Sequence, residues 1–374
     1  MFKSMRLSDV DSGRQNNMDL IRFIAASAVI YGHAFHLQNL RDPLEGVTGH
    51  STGSLAVGIF FCLSGFLIAK SLCNRPSLLE FLLARCLRIL PALIVVNIAV
   101  VLVAGLFWTD LTPAAFFAES RSWTYVLWNS SLLKCQYDLP GVFVGNAYGD
   151  AVNGSLWTLP VEARMYGLVF AAGVASLLVQ KIPGLKILDR RRVVGLFGLV
   201  AFLLSAWIWS AFSIPFFSGV ISESGVLLMG YFGVGMMAHA MRDHVRLSGW
   251  VVLCVAALLA SISESGLYEP IFFVWLAYTC LWLSYTPLVN ARNFGKRGDV
   301  SYGIYIFAFP VQQYLYSTSD SMAPLTNAML AFVIVLPLAA ASFHWLERPA
   351  LRLKHPLARK IDSFMHPRGA SLAD

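Results

Sequence analysis

Charge is scarce in this chain. Only 13% of its 374 residues are Asp, Glu, Lys or Arg, whereas 57% are hydrophobic, and the mean hydropathy is +0.64. A soluble domain carries about twice that charged fraction, so an ordinary soluble fold is excluded. Cysteines are few, at Cys62, Cys73, Cys86, Cys135, Cys254 and Cys280, and none stands in a CxxC pair or a Cys/His metal spacing. No metal site is therefore expected. Only Cys135 falls in a loop expected to lie outside a membrane, which argues against a disulfide framework. Internal repeats and low-complexity tracts are absent, and so is any nucleic-acid module. No serine or cysteine nucleophile with an adjacent base is evident.

What the chain has instead is apolar runs near twenty residues long. They predict spans at about 19–37, 54–73, 89–107, 155–179, 193–213, 217–241, 248–265, 269–289, 300–317 and 325–346. Continuous runs are helical, because short alternating ones would be needed for a barrel. The expected fold class is thus all-α, a polytopic transmembrane helical bundle of about ten spans. The start, with Lys3, Arg6 and Arg14 before an apolar run, resembles a signal peptide. Its small residues, Ala25 to Ala28, come too early in the run for a cleavage site, so the segment reads as an uncleaved first span.

The net charge of +7 follows the loops. With the N-terminus inside, 24 of the 28 Lys and Arg residues fall on inner segments; the others are Arg41, Arg121 and Lys134 outside, and Arg164 within a span. This positive-inside bias predicts an even number of spans with both termini cytoplasmic. The division expected is a cytoplasmic N-terminal segment over 1–18, a transmembrane domain over 19–348 and a basic cytoplasmic tail over 349–374.

The first span carries unusual charge: Asp19, Arg22, His33 and His36. Each ionisable group at membrane depth costs a few kcal/mol by insertion scales. His33 lies eleven residues after Arg22. At about 100° per residue that is three turns plus roughly 20°, so the two share a face, about 16 Å apart along the axis. Asp19 and His36 fall on the same side. Such a polar stripe suits chemistry in the membrane, and it would also serve as a seam gluing helices together.

Arg85 and Arg88 open the third expected span from the inside and share a face at i, i+3. Two guanidiniums at an inner membrane edge form a site for phosphates, since the planar fork binds oxyanions bidentately. Positive-inside anchoring is the equal alternative. Glu162 enters from the outside in the fourth span, two residues after Pro160 and about 10 Å into the membrane. A carboxylate there needs a partner, with Arg164, Arg22 and His33 the candidates. It could orient the histidine, position a hydroxyl or neutralise an arginine. Glu347, ending the last span, could pair with Arg85 or Arg88 in a structural role. His239 and His344 near inner helix ends need no special role. The longest outside loop, from Trp108 to Gly154, carries Trp123, Tyr125, Trp128, Tyr137 and Tyr148 among polar residues. Those suit sugar recognition or an interfacial aromatic belt. The glycines in 225–235 predict close helix packing.

In this order the motifs are familiar. Met18-Asp19-Leu20-Ile21-Arg22 is followed by His33 after ten intervening residues; Val57 to Ile68 contains Phe-Phe-Cys-Leu-Ser-Gly-Phe; Arg85-Cys86-Leu87-Arg88 comes next. Gly154-Ser155-Leu156-Trp157-Thr158-Leu159-Pro160-Val161-Glu162, Ser301-Tyr302-Gly303-Ile304-Tyr305 and Glu347-Arg348-Pro349 complete the set. Over residues 17–352 the chain resembles the acyltransferase 3 family of polytopic membrane O-acyltransferases, which act on bacterial surface polysaccharides, nodulation factors and some antibiotics. One departure stands out. Many members have a histidine before the aromatic-proline pair of the ninth span, where this chain has Ala308.

The resemblance implies an enzyme of the bacterial inner membrane with no permanently bound cofactor. Acyl-CoA, most often acetyl-CoA, would be the donor substrate, and a hydroxyl of a glycan or lipid-linked sugar the acceptor. Arg85 and Arg88 would hold CoA phosphates. His33 would act as general base, and Arg22 would hold the donor or stabilise charge on the thioester oxygen. Glu162 completes the catalytic candidates. A single-module enzyme, or one with a separate partner, is implied. Membrane lipids are expected partners and nucleic acid is not; the sequence carries no signature of oligomeric state. The rival reading is a transporter or flippase for a glycan or acylated substrate, which intramembrane charge would serve equally well. Against it, the chain has no paired Gly/Pro-interrupted helices in matching halves.

Overall fold

The computed structural model describes residues 4–11, 16–74, 77–210, 223–287, 291–319 and 322–365. Lys3, Arg14 and Arg75 of the basic tally lie outside the described residues, as do 211–222 between the fifth and sixth expected spans, 288–289 at the end of the eighth, and the tail beyond 365.

Among the described residues, ten helices of 13 to 26 residues stand where ten apolar runs are expected. They are α1 (Met18–His36), α2 (Thr52–Cys73), α3 (Leu78–Val103), α4 (Thr158–Val179) and α5 (Arg190–Ser210). The second half holds α6 (Glu223–Ala240), α7 (Gly249–Ser261), α8 (Tyr268–Tyr285), α9 (Ser301–Ser317) and α10 (Pro324–Ser342). The fold is all-α; the sheet that is present pairs Met5–Arg6 with Arg246–Leu247. Six helical runs are long and apolar enough to cross a membrane: those of α1, α2, α3, α4, α5 and α10.

Two elements depart from the expected limits for physical reasons. α3 starts at Leu78 rather than near 89, because the Ser77 hydroxyl caps it by accepting the Glu80 N–H and Phe81 is fully buried one turn on. Arg85 and Arg88 therefore lie inside this helix, not at its opening. α7 stops at Ser261, before the polar Ser263-Glu264-Ser265-Gly266 stretch, and is only about 20 Å long.

The connections gather at two ends. At one, Lys70 Nζ meets Asp11 Oδ1 at 2.6 Å, Arg191 Nε donates to the Ala240 carbonyl at 2.6 Å, and Asn17 Nδ2 donates to the Thr286 carbonyl at 3.2 Å. This basic end holds the Arg190–Arg192 run. At the opposite, loop-rich end, Gln38 donates to the Met322 carbonyl, Asn39 to the Ala147 carbonyl, and the Tyr268 hydroxyl to the Thr48 carbonyl. The 109–153 segment folds here. It contributes the helix Ser120–Ser131, tied to α3 by the Asn97–Ser130 hydrogen bond of 3.1 Å.

α2 is the central post, packed against α1 and α6. The close approach of α6 depends on its glycines. A Cβ at Gly235 would stand 2.2 Å from the Cys62 carbonyl oxygen of α2, and one at Gly233 2.6 Å from the Gly198 carbonyl oxygen of α5. The expected role of the 225–235 glycines is thus met by backbone-to-backbone contact on two sides.

Candidate active site

A cavity of about 400 Å³ opens among α1, α2, α3, α4 and α9. Arg22, Arg85, Arg88 and Glu162 all line it, together with Ser64, Tyr166, Tyr302 and Tyr305. Four of the five candidates from widely separated stretches of sequence are therefore brought to one space.

Its charges are arranged around Asp299, in the connection before α9. The carboxylate receives the Ser301 N–H at 3.0 Å and the Ser301 hydroxyl at 2.5 Å, which satisfies the first N–H of α9. Its Oδ2 then bridges two arginines, Arg22 Nη1 at 2.7 Å and Arg88 Nη2 at 2.8 Å. Burial alone would push this carboxyl up; Arg22 and Arg88 override it and hold it down at about 2. Arg88 also donates to Glu347, which is fully buried and accepts from the Ser342 hydroxyl at 3.3 Å. The Glu347–Arg88 pairing anticipated from sequence is present. It leaves Arg88 with a carboxylate on each arm and the Tyr302 ring 5.7 Å from its guanidinium carbon.

Arg85 is different. Among the described residues it makes no ion pair within 4 Å; its guanidinium lies 5.8 Å from the Tyr166 ring centre, and its buried Nε has no hydrogen-bond partner. It stands one turn nearer the basic end than Arg88. A cation in that state is poised for an anion supplied from outside the protein.

Glu162 finds none of its expected partners, Arg164, Arg22 or His33, as a hydrogen-bond or ion-pair partner; Arg22 is taken by Asp299. It accepts from the Tyr166 hydroxyl one turn along the same helix and from the Ser64 hydroxyl of α2 at 3.4 Å. Beyond it, the Tyr305 hydroxyl bonds the Ser155 carbonyl at 2.8 Å and Thr158 Oγ1 at 2.7 Å. This Tyr305–Thr158 pair closes the cavity on the side of the loop-rich end.

His33 lies past that closure and does not line the cavity. Phe309, one turn after Tyr305, meets the His33 ring edge-on at 5.1 Å. Tyr148 of the long loop covers both Phe309, at 5.8 Å, and His36, at 4.8 Å. His33 Nδ1 is buried without a hydrogen-bond partner. Ala308 points elsewhere: it is fully buried in an apolar cluster with Ala26, Ile30 and Ala34 of α1.

The family model described as an acyltransferase domain matches residues 15–344. The chain belongs to the acyltransferase 3 family. The "O-acetyl transferase" of Shigella phage Sf6 is 28% identical to it over 354 residues, covering 92% of this chain and 98% of that one. "Nodulation protein 10" of Rhizobium leguminosarum bv. viciae is 28% identical over 376 residues, covering 94% and 97%. No solved structure matches it. The protein is therefore a membrane acyltransferase, and residues of the motifs read from its sequence converge in space. Arg22, Arg88, Glu162 and Tyr302 line one cavity, Glu347 ties Arg88, and His33 stands beyond the Tyr305 closure.

Sequence reasoning missed Asp299 and Tyr166, and it quoted Ser64, Tyr302 and Tyr305 only within motifs, with no role for each in the cavity. Two signals were available. Tyr166 is four residues from Glu162, the spacing that puts side chains in contact on a helix. Asp299 two residues before Ser301 is a helix-start signature.

Proposed function

We propose that the protein is an O-acyltransferase of a bacterial inner membrane, transferring an acyl group, most simply acetyl, from acyl-CoA to a hydroxyl of a cell-surface glycan or lipid-linked sugar. The basic end faces the cytoplasm by the positive-inside bias. All ten helices lie in the membrane, α7 among them with Trp250, Val251, Leu253 and Leu258 facing outward. Both termini are then cytoplasmic.

The observation that carries this reading is the cavity with one arginine left unpaired. Acyl-CoA enters from the basic end. Its phosphates meet Arg85 first, and Arg88 supports them from within the Asp299–Glu347 network. The acyl-pantetheine arm runs along the cavity past Glu162, and the Tyr305–Thr158 hydrogen bond parts so that the thioester carbonyl reaches His33. The acceptor comes from the loop-rich end, under Tyr148, to His33. There the acceptor hydroxyl gives its proton to His33 as its oxygen attacks the thioester carbonyl. The carbon–sulfur bond breaks, CoA leaves as a thiolate that takes up a proton, and an ester remains on the sugar. Arg22, on the same face of α1 as His33, helps hold the donor and balances negative charge in the attack. Glu162, held by Ser64 and Tyr166, keeps the arm of the cavity polar and positions the donor. The "O-acetyl transferase" relative supports acetyl as the group moved.

The test is acceptor-dependent release of CoA. Purified full-length protein in nanodiscs, given radiolabelled acetyl-CoA and an alkali-deacylated envelope glycan from cells that carry it, should move label into the glycan as an alkali-labile ester. Label that crosses a proteoliposome membrane without becoming esterified would mean transport instead.

A further inference from the structure

A second cavity, of about 490 Å³, lies at the loop-rich end among α2, α5, α6 and α8. Trp157, Tyr231, Phe272 and Phe273 form much of its wall, and His50 and Glu269 are its charged or ionisable side chains. None of these is used by the reaction described above. Val57 lines both this cavity and the first one, so the two adjoin there. α1 is equally near: a Cβ at Gly32, beside His33, would stand 2.7 Å from the Gly53 nitrogen, and the next residue, Ser54, lines the second cavity. The donor cavity, His33 and this pocket thus surround the first two turns of α2.

The pocket is polar where a structural pocket would be satisfied. His50 Nε2 is buried 3.1 Å from Glu269 Oε2, at ion-pair distance but off the line of a hydrogen bond, so the atom has no hydrogen-bond partner. The His50 ring is fixed by stacking on Phe272 at 4.8 Å. Glu269 is held loosely: its side chain is 48% exposed. A carboxylate open to the cavity accepts from a donor that presents O–H groups. The rigid faces of Trp157 and of the stacked Tyr231–Phe273 pair, 3.8 Å apart, offer flat apolar surface to the same occupant. Hydroxyls on the rim and C–H groups on two broad faces are the surface of a pyranose. An acyl chain would use the aromatic faces but leave Glu269 and His50 unanswered.

We infer that this pocket is a subsite for a sugar ring of the acceptor glycan, adjoining the ring whose hydroxyl is acylated. Its hydroxyls bond Glu269 and His50, and its face lies on Trp157. The inference rests on the glycan reading of the acceptor given above. It makes the enzyme a reader of at least two residues of its acceptor.

Kinetics on the full-length protein in nanodiscs tests it, with acetyl-CoA as donor and two acceptors: the alkali-deacylated envelope glycan cut to tetrasaccharides, and the methyl glycosides of its single sugars. Glu269→Gln keeps shape and Trp157→Ala removes the platform. Each should raise KM for the tetrasaccharide about ten-fold or more, with KM for acetyl-CoA moving less than two-fold and methyl-glycoside turnover falling no further than two-fold. Equal losses on both acceptor sizes would overturn the subsite, as would an unmoved tetrasaccharide KM in both variants. Recovery of a phospholipid, photocrosslinked at His50 and not competed by tetrasaccharide, would give the pocket to lipid and also overturn it. If the wild-type enzyme acylates no glycan at all, the acceptor reading itself fails and the subsite with it.

Discussion

Two clusters of this bundle, the Asp299 network toward the basic end and the Glu269 pocket at the loop-rich end, treat charge in opposite ways. At the basic end, Arg22, Arg88, Asp299 and Glu347 neutralise one another, with both arginine contacts to Asp299 under 3 Å. At the loop-rich end, Glu269 is half exposed beside a histidine it does not properly bond, and Arg164 is exposed among the residues of an open cavity with Lys134 and Trp157. A closed network fixes geometry, whereas an open one leaves bonding capacity for something else. The difference fits two substrates of different constancy. On the reading proposed above, a donor whose nucleotide never varies would meet a prebuilt frame, and a glycan that differs between cells would meet side chains that are not yet committed.

Breaking the line between the two ends should have the largest effect. His33→Ala is expected to lose transfer by about 10²–10⁴-fold, the usual worth of a general acid or base, with protein level and acyl-CoA binding retained. His33→Gln should be nearly as inactive, because it cannot carry a proton, while His36→Ala should be milder. Turnover of His33→Gln close to wild type, measured as CoA release, would move the base elsewhere, first to Glu162.

The frame itself is tested next. Asp299→Ala leaves Arg22 and Arg88 facing each other without their shared carboxylate. Removing one partner of a buried ion pair costs about 3–5 kcal/mol, so the melting temperature in detergent should fall well below that of wild type. Asp299→Asn, which keeps the Ser301 bonds, should lose less. Arg85 sets the contrast within the same cavity. Arg85→Ala should raise the acyl-CoA Kd about ten- to hundred-fold, from the roughly 1.5–3 kcal/mol of a charge-assisted hydrogen bond, with little change in melting. Arg88→Ala should weaken binding and stability together. Lysine should rescue Arg85 only in part, having charge without the fork. Equal Kd values for wild type and Arg85→Ala would remove the phosphate site.

Smaller effects sharpen the loop-rich side. Cys135 is half-buried, and burial pushes its thiol up to about 11. Its labelling by a membrane-impermeant maleimide from outside should be slow near neutrality and rise about ten-fold per pH unit, as the thiolate fraction does. Cys73 and Cys86, toward the other end, should stay unlabelled in intact spheroplasts. The smallest effect belongs to Asp138. Arg121 Nε and Nη2 donate to it at 2.6 and 2.7 Å and hold its carboxyl below the ordinary carboxylate range. A depressed carboxyl stabilises the fold above its unfolded value and loses that contribution as pH falls through its folded one. The slight melting difference between wild type and Arg121→Ala should therefore begin to shrink as pH falls below about 4 and vanish only once pH is below the depressed folded value.

Sequence alone located all ten helices, because apolar runs in a membrane protein declare themselves. It misjudged the start of α3, since positive residues were read as an edge although Phe81 and Ser77 carry the helix past them. The convergence of Arg22, Arg85, Arg88 and Glu162 was legible as a set of motifs, while their division of labour was not. Whether an arginine is neutralised depends on Asp299, which reads locally as a helix-start residue and reveals its second role only through Arg88, 211 residues away in the chain. The closure between Glu162 and His33 depends in the same way on Tyr305 meeting Thr158 from a distant helix.

That long separation has a consequence for how the protein is made. At 5–20 residues per second, Asp299 leaves the ribosome roughly 10–40 s after Arg88, with 211 residues between them, and Glu347 follows later still. During that interval Arg88 and Arg22 sit at the membrane with no counter-charge from their final partners. Nascent chains halted before Asp299 should thus be held by lipid headgroups or an insertion chaperone at those two arginines, and should become targets of membrane quality control when that hold is removed. The acidic residue that joins Arg22 to Arg88 is, in the order of synthesis, also the one that relieves the first and third helices of their unpaired charge.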